Sequence, residues 1–174
     1  MLFLGPAELR ELDARALEEH LGRTECVVAF AEGELAGIAA AALLFADYAV
    51  LRRGSTLTVD TPEAWAGAAW RLGRGTLRWH FRGGDPAEVV DEITERDPRS
   101  WLEEWTRQRS VMALDAAAVL IRGRGGDSLE RAEFARLFAI GEPQKGLGAF
   151  LAKTRPTYSS NPGDHDEPQR SRRS

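Results

Sequence analysis

The stretch that decides the fold is the most apolar part of the chain, residues 26–51, which reads CVVAFAEGELAGIAAAALLFADYAVL. Its first residues, Cys26–Ala31, form a short apolar run with β-branched side chains, which predicts a strand buried on both faces. The glycine within Glu32–Glu34 predicts a turn. Leu35–Phe45 is rich in alanine and apolar on all sides, which predicts a buried helix. Tyr48–Leu51 then predicts a second strand.

The same stretch raises the question of a membrane span, and the charges within it argue against one. Glu32, Glu34 and Asp47 interrupt the apolar run, and its uninterrupted part, Leu35–Ala46, has only 12 residues. A span needs about 20 residues. The whole chain of 174 residues is 43% hydrophobic and 29% charged, a balance typical of one globular domain with its own core.

Charge and cysteine content restrict the possible partners and compartment. The formal net charge is −4, which argues against a nucleic-acid partner, since phosphate binding needs a surplus of Lys and Arg. A single cysteine, Cys26, cannot form an internal disulfide, and its place in a buried strand predicts an inert thiol. No signal peptide opens the sequence, and a cytoplasmic protein is therefore expected. His20, His80 and His165 share no metal-ligand spacing, and no metal site is predicted.

Outside this stretch the chain is predicted to be mostly helical. Upstream, apolar residues at helical spacing predict one helix over Ala7–Leu21. Downstream, Thr56–Asp60 is rich in Thr and Val, which predicts a third short strand. Leu77–Phe81 is compatible with either a helix or a strand. The remaining predicted helices are Pro62–Leu72, Pro86–Ile93, Ser100 to about Gly123, Leu129–Phe138 and Gly146–Thr154.

This order of elements predicts an α/β (α+β) fold, with the strands in the first third of the chain and helices after them. Residues 1–158 are expected to form one domain, of which residues 100–158 are the helical C-terminal part. Ser159–Ser174 lacks aliphatic and aromatic side chains and is predicted to be a disordered tail.

Two stretches resemble the crotonase (enoyl-CoA hydratase/isomerase) family. Val27–Val50 is similar to the strand, turn and helix whose usual form is P-V-I-A-A-V-N-G-x-A-x-G-G-G-x-E-L-A, followed six residues after the Glu by an Asp. Leu129–Tyr158 is similar to the family's C-terminal E…F…F…D/E-x-x-E-G-x-x-A-F-x-x-K-R-x-P. The residues that match this second pattern are Glu130, Phe134, Phe138, Glu142, Gly146, Ala149, Phe150, Lys153 and Pro156.

A third stretch, Phe3–Leu12, resembles the family's F-x-A-G-A-D-L-x-E-L. With it, the resemblance covers nearly all of residues 3–158 and implies a partial crotonase-like ββα spiral fold followed by a C-terminal helical region. The chain would then begin at the family's first oxyanion-hole loop. The N-terminal strands that precede this loop in the family have no counterpart here, which implies either a shortened protein or a wrongly assigned start codon.

The resemblance implies a site for acyl-CoA or acyl-carrier thioesters. The family stabilises an enolate oxygen with two backbone N–H groups, which correspond here to those of Ala7 and Ile38. Gly37, which precedes the second donor, is implied to contact the substrate. The β-branched Ile38 replaces a family glycine, which implies that it blocks close approach of the thioester or requires a different backbone. Lys153 and Arg155 correspond to basic residues that reach the CoA phosphates, or else form a solvated helix end.

Two carboxylates carry out hydration in this family, one as acid and one as base. The first corresponds to Ala41, as Asp47 six residues later indicates, and is therefore missing. The second corresponds to Glu63, if a two-residue insertion is allowed. One glutamate can still move a proton α to a thioester, which implies isomerase-type chemistry rather than hydration. Alternatively, Glu63 only complements the dipole at a helix start.

The predicted function is that of an enoyl-CoA hydratase/isomerase-like enzyme that uses a CoA thioester as substrate and needs no cofactor. The alternative is a catalytically inactive crotonase-like subunit that assembles with a full-length partner. The family commonly forms trimers through its C-terminal helices, which implies a homo-oligomer (trimer or hexamer) or a crotonase-family partner. No nucleic-acid or membrane partner is predicted. Trp65 and Trp70, which follow the predicted catalytic residue, are expected to pack in the core or else to narrow the pocket.

Overall fold

A four-stranded parallel sheet forms the centre of the fold in the computed structural model, which describes residues 1–22, 25–122 and 127–158. Its strands are β1 (Leu2–Leu4), β2 (Val27–Ala31), β4 (Tyr48–Arg52) and β6 (Glu92–Thr94), in that order across the sheet. Two shorter strands, β3 (Glu34–Leu35) and β5 (Thr56–Leu57), form a separate parallel pair.

Helices connect these strands and follow them to the end of the described chain. In chain order they are α1 (Pro6–Glu11), α2 (Ala14–Leu21), α3 (Gly37–Phe45), α4 (Pro62–Leu72), α5 (Thr76–Phe81), α6 (Pro98–Arg107), α7 (Val111–Arg122), α8 (Asp127–Ala139) and α9 (Glu142–Leu151). The α/β class and the helical C-terminal part are confirmed.

Strand β2 is buried on both faces, as its apolar run predicts. Alternate residues point to opposite sides of the sheet. Val27, Ala29 and Ala31 face the cluster that contains α3. Val28 and Phe30 face a second cluster, in which two tryptophans of α6 and one alanine of α7 cover the sheet. The central strand therefore separates two apolar layers.

Helix α4 packs directly on α3, and one glycine makes this contact possible. A Cβ added at Gly67 would lie 2.7 Å from the Cβ of Leu44 and 3.4 Å from the backbone oxygen of Ala41. The two helices therefore approach more closely than any larger residue at position 67 allows. Thr61 caps α4 by accepting the N–H of Ala64 at 3.2 Å, and this cap defines where α4 begins.

The prediction of one helix over Ala7–Leu21 is wrong, because the chain breaks at Leu12. Leu12 has an extended backbone (φ −67°, ψ 131°) and ends α1. Asp13 then caps α2 by accepting the N–H of Ala16 at 2.7 Å. The apolar spacing continues across the break, and for that reason periodicity alone does not show it. Strand β1, which precedes α1 and pairs with β2, was not predicted from the sequence.

Two predictions in the second half of the chain are also wrong. The helix expected from Ser100 to about Gly123 is divided into α6 and α7, and Ser110 begins the second by accepting the N–H of Ala113 at 3.1 Å. Pro86–Ile93 forms only a short 3₁₀ turn, after which Ile93 lies in β6, opposite Leu51 of β4. The strands are therefore not confined to the first third of the chain.

Smaller differences concern the ends of elements. The third predicted strand, Thr56–Asp60, is limited to the two residues of β5, and Leu35 belongs to β3 rather than to the helix that follows. Leu77–Phe81 is helical, within α5. The predicted tail, Ser159–Ser174, lies outside the described residues. Among the helices of the described ranges, none combines the length and the apolar character that crossing a bilayer requires.

Candidate functional site

Helices α1 and α3 both begin beyond the carboxyl ends of neighbouring strands. Strands β1 and β2 are parallel, with Leu4 opposite Ala29, and the chain therefore leaves both at the same edge of the sheet. The two helices contact each other, and Leu9 of α1 and Ile38 of α3 belong to the same apolar cluster. The structure thus places Ala7 and Ile38, each the second residue of its helix, in neighbouring helices at one edge of the sheet.

Neither of these two helices has a side-chain cap. Gly5 and Ala36 occupy the N-cap positions, and no side chain accepts a hydrogen bond there. Helices α2, α4 and α6 differ, because Asp13, Thr61 and Asp97 each accept a backbone N–H of the first turn. The first N–H groups of a helix have no acceptor within the helix. In α3, Asp60 accepts the N–H of Gly37, whereas no described hydrogen bond takes up the N–H of Ala7 or of Ile38, and these two are left for water or for a ligand.

The unusual backbone at the start of α3 lies at Gly37 rather than at Ile38. Gly37 has φ +57°, a conformation that glycine adopts without steric cost, and its N–H donates to Oδ1 of Asp60 at 3.1 Å. Ile38 has an ordinary negative φ within α3, and its half-buried side chain packs against the core. The isoleucine at this position therefore requires no strained backbone.

Glu63 lies in the first turn of α4, and its side chain is exposed. The start of α4 is close to the start of α3, because Cγ2 of Thr61 lies 4.0 Å from a Cβ position built at Gly37. The hydrogen bond from Gly37 to Asp60 joins the same two segments. The predicted catalytic carboxylate is thus at the same end of the helix pair as the predicted donor Ile38.

The position that the resemblance assigns to the first glutamate, Ala41, is closed. Ala41 lies in the middle of α3 and is 0% exposed. Its backbone oxygen faces Gly67 of the closely packed helix α4. A carboxylate at this position would be enclosed by apolar residues, at a high desolvation cost. At position 41, the described packing therefore holds no second carboxylate to act together with Glu63.

Two carboxylates near the site were missed by the sequence reading. Oε2 of Glu8 lies 2.9 Å from a Cβ position built at Gly5, which brings this carboxylate back over the start of α1. The spacing of Glu8 from the N-cap, at the third helical position, is the spacing of a capping box and could have indicated this. Asp60 accepts the N–H of Gly37, which is 23 residues away in the sequence, and no local sequence pattern predicts this hydrogen bond.

Lys153 and Arg155 are exposed and follow α9. The N–H of Thr154 donates to the carbonyl of Ala149 at 2.9 Å, and Lys153 has φ +53°, the geometry that ends a helix in a Schellman motif. Helix α9 packs on α8, which packs on α7. Among the described hydrogen bonds and ion pairs, none joins these two cations to the edge where α1, α3 and α4 begin.

The two tryptophans of α4 differ from the expectation of core packing. Trp65 is half-buried and contacts His80, with ring centroids 4.8 Å apart. Trp70 is 58% exposed, and core packing is wrong for this residue. Its side chain instead borders a surface cavity, together with Asp91 and Ile121.

The opposite edge of the sheet contains three aspartates that accept backbone N–H groups at the starts of β2 and β4. These are Asp47, Asp91 and Asp115, with donor–acceptor distances of 2.7, 2.7 and 2.8 Å. Asp47 also pairs with Arg122, whose Nε lies 3.0 Å from Oδ1. Cys26 is buried, and burial and the nearby aspartates raise the pKa of its thiol to about 12, which disfavours the reactive thiolate. In residues 1–22, 25–122 and 127–158, no three His, Cys, Asp or Glu side chains are placed to hold a metal ion.

Comparison with known proteins identifies the fold. No family model and no curated protein matches this sequence. Solved structures do match, among them an enoyl-CoA hydratase/isomerase family protein from Hyphomonas neptunium, with 22% identity and a TM-score of 0.60 over 85% of this chain and 66% of that one. An enoyl-CoA hydratase/isomerase from Marinobacter aquaeolei has 16% identity and a TM-score of 0.56, over 86% of this chain and 73% of that one.

A third match, enoyl-CoA hydratase subunit I from Geobacillus kaustophilus, has 16% identity and a TM-score of 0.58, over 89% of this chain and 74% of that one. The chain therefore has the fold of the enoyl-CoA hydratase/isomerase structures, as its three matching stretches indicate. It spans between 66% and 74% of the length of these three structures.

Proposed function

We propose that this chain binds the thioester of an acyl-CoA or acyl-carrier substrate at the edge where α1 and α3 begin. The carbonyl oxygen of the thioester would accept hydrogen bonds from the N–H groups of Ala7 and Ile38. The observation that carries the proposal is the pair of adjacent helices without side-chain caps, in a fold shared with enoyl-CoA hydratase/isomerase structures. The oxygen of a ligand would accept the hydrogen bonds of these N–H groups, for which the N-cap residues supply no acceptor.

The proposed chemistry is the movement of a double bond. Glu63 would remove a proton from the carbon α to the thioester of a β,γ-unsaturated substrate, and the electron pair would pass to the carbonyl oxygen. Preorganised N–H donors stabilise such an oxygen, and loss of one donor costs roughly 10²–10³ in rate in known enzymes. Return of the proton to the γ-carbon gives the α,β-unsaturated thioester and restores the carboxylate. This step consumes neither water nor a cofactor.

Hydration by two glutamates is not proposed, because Ala41 occupies the first position and is fully buried. Asp60 lies at the start of α3, because it accepts the N–H of Gly37, the residue before the proposed donor Ile38. A negative charge there opposes negative charge on the thioester oxygen. Asp60 is therefore the matched residue against which the role of Glu63 is tested.

A second candidate function is a catalytically inactive subunit that assembles with further copies or with a full-length partner. Helices α8 and α9 have no buried residue in this chain, and several large apolar side chains on them are exposed. These are Phe134, Phe138, Leu147, Phe150 and Leu151. An exposed apolar surface of this kind favours a protein interface. Light scattering of the wild type and of Phe150→Ser tests this assembly, and a monomeric wild type contradicts it.

Thermal unfolding with and without ligand tests thioester binding. Acetoacetyl-CoA is expected to raise the melting temperature, since a ligand at 100 times its Kd stabilises a protein by about 2.7 kcal/mol. Free CoA serves as the control ligand, because it lacks the thioester carbonyl. The absence of any shift at millimolar acetoacetyl-CoA, under conditions where the protein is folded, would remove the proposal.

Turnover separates the enzyme from the inactive subunit. A β,γ-enoyl-CoA substrate is followed by the absorbance of its conjugated product, with Glu63→Gln and Asp60→Asn compared with the wild type. The proposal requires that Glu63→Gln abolish turnover and keep the thermal shift, while Asp60→Asn keeps both. Unchanged turnover in Glu63→Gln excludes it as the base. A thermal shift without wild-type turnover favours the inactive subunit.

A further inference from the structure

The segment of residues 70–84 combines basic and exposed apolar side chains. It contains four arginines and no Asp or Glu, in a chain whose net charge is −4. Arg71 is used within the fold, because it pairs with Asp91 and donates to two backbone carbonyls. Arg74, Arg78 and Arg82 are exposed, and none of them forms an ion pair with a carboxylate of the described residues. Residues 70–84 therefore carry a charge opposite to that of the whole protein, and the first acidic residues after them are Asp85 and Glu88.

Large apolar side chains project between these arginines. Trp70 is 58% exposed, Leu77 is 64% exposed and Phe81 is 83% exposed. Leu77 and Phe81 are four residues apart in α5 and share one face of the helix. Trp79 holds the opposite face in the protein, since it is buried and its Nε1 donates to the carbonyl of Asp85 at 2.7 Å. Helix α5 is thus fixed by one side while its other side presents apolar groups to solvent.

We propose that residues 70–84, which comprise the end of α4, helix α5 and the turns on either side of α5, form a peripheral docking surface for an anionic membrane. Leu77 and Phe81 would enter the boundary between lipid headgroups and acyl chains, where amphipathic helices place their apolar faces. Arg74, Arg78 and Arg82 would contact the negative headgroups, and their long aliphatic stems allow the charges to remain at that level. This surface is named the α5 patch.

Charge and shape favour a membrane over a protein partner for the α5 patch. Phe81 is almost entirely exposed, so it lies in no groove of this chain and projects outward. A protein partner would have to supply a fitted pocket for such a side chain, whereas a lipid boundary accepts it without one. The prediction of no membrane partner depended on the length of a span. A surface contact has no such requirement.

The α5 patch lies close to the candidate thioester site. The ring of His80 contacts that of Trp65, two residues after Glu63. The C-terminal end of α5 is therefore beside the first turn of α4. Membrane docking at the α5 patch does not depend on thioester binding, and each can fail without the other.

Vesicle sedimentation of the full chain tests this proposal, with phosphatidylcholine vesicles that contain or lack phosphatidylglycerol. The expected result is binding only to the anionic vesicles, weakened by added salt. Arg78→Gln with Arg82→Gln should lower the partition coefficient by roughly fivefold per arginine. Phe81→Ser should lower it by about tenfold, through loss of apolar burial.

Matched control variants carry the same changes elsewhere on the surface. Arg15→Gln with Arg99→Gln removes two exposed arginines from α2 and α6, and Leu151→Ser removes an exposed apolar side chain from α9. These controls should sediment as the wild type does. Circular dichroism confirms that every variant is folded, and the thermal shift with acetoacetyl-CoA reports the thioester site separately.

Three results would overturn the proposal. The first is a folded wild type that does not sediment with anionic vesicles. The second is equal loss of binding in the α5 patch variants and in the controls, which would place the contact elsewhere. The third is a wild type that does not bind vesicles but self-associates in light scattering, with Phe81→Ser abolishing that self-association. This last result would assign the α5 patch to a second copy of the chain.

Discussion

The two edges of the central sheet differ in whether side chains accept the backbone N–H groups there. At the amino edge, where the strands begin, Asp47, Asp91 and Asp115 accept the N–H groups that begin β2 and β4. At the carboxyl edge, α1 and α3 begin without any side-chain cap. Buried backbone donors are almost always paired in native proteins. Donors paired within the chain contribute to stability, and donors without such a partner are available to a ligand.

The largest expected effect comes from removing the ion pair between Arg122 and Asp47 at the amino edge. Arg122→Ala leaves the half-buried carboxylate of Asp47 without its cation, and we expect the free energy of unfolding to fall by about 3 kcal/mol. Chemical denaturation measures this change. Arg99→Ala, which breaks an exposed pair with Glu103, should change the free energy by less than about 1 kcal/mol. Equal losses in both variants would show that the amino edge has no special structural role.

A second prediction concerns the packing that supports the carboxyl edge. Gly67→Ala places a Cβ too close to Leu44 and should push α4 away from α3, at a cost of about 1–3 kcal/mol. The thermal shift with acetoacetyl-CoA should also decrease, because Gly37 and Thr61 separate. Gly148→Ala is the matched control, since a Cβ there meets no other atom within 4 Å, and it should leave stability unchanged or slightly raised. A neutral Gly67→Ala variant contradicts this close approach.

A third prediction concerns a variant at the carboxyl edge that should be more stable and should bind the thioester more weakly. Ala36→Ser supplies the missing cap of α3 and should stabilise the protein by about 0.5–2 kcal/mol. The same hydroxyl would accept the N–H of Ile38 or its neighbour, and thioester binding should weaken. Thr61→Ala is the complementary change, because it removes the cap of α4 and should destabilise the protein by a similar amount. A more stable Ala36→Ser variant with unchanged binding would contradict competition between the hydroxyl and the thioester for the N–H groups of this first turn.

The smallest effect at neutral pH is expected at Cys26. Its pKa is about 12 in the folded protein and 9.0 in the unfolded reference, because burial and nearby carboxylates disfavour the thiolate. Below pH 9 both states hold the proton, and Cys26 then contributes no pH dependence. Above it the unfolded thiol ionises first, and stability falls by roughly 1.4 kcal/mol per pH unit up to about pH 12. A thiol reagent at pH 8 should label Cys26 only after denaturation, and rapid labelling of the folded protein would contradict its burial.

The fold could be predicted from sequence where the signal is local and strong. Strand β2 is a continuous apolar run, and α3 is apolar on every side, and both were found near their observed positions. Strand β6 has only one apolar residue, Ile93, and exists because it pairs with β4. The break between α1 and α2 depends on Asp13, within a spacing that is otherwise helical. Pairing and capping of this kind leave little trace in hydrophobic periodicity.

The candidate site was predicted through the resemblance, and the structure changes it in specific ways. Ala7 and Ile38 lie in neighbouring helices, and Glu63 is close to the second of them. Lys153 and Arg155 lie after α9, and no described polar contact joins them to these residues. That part of the prediction depends on how separate helices pack, which sequence spacing does not report.

The sequence by itself determined which segments are buried, because a continuous apolar run is a local signal. Only the tertiary structure decided which backbone donors are left without an acceptor. The N–H of Gly37 is satisfied by Asp60, 23 residues away, while α3 has no cap of its own. Hydrogen bonding between distant segments depends on their packing in three dimensions, and for that reason the availability of the Ile38 donor emerges only in the folded chain.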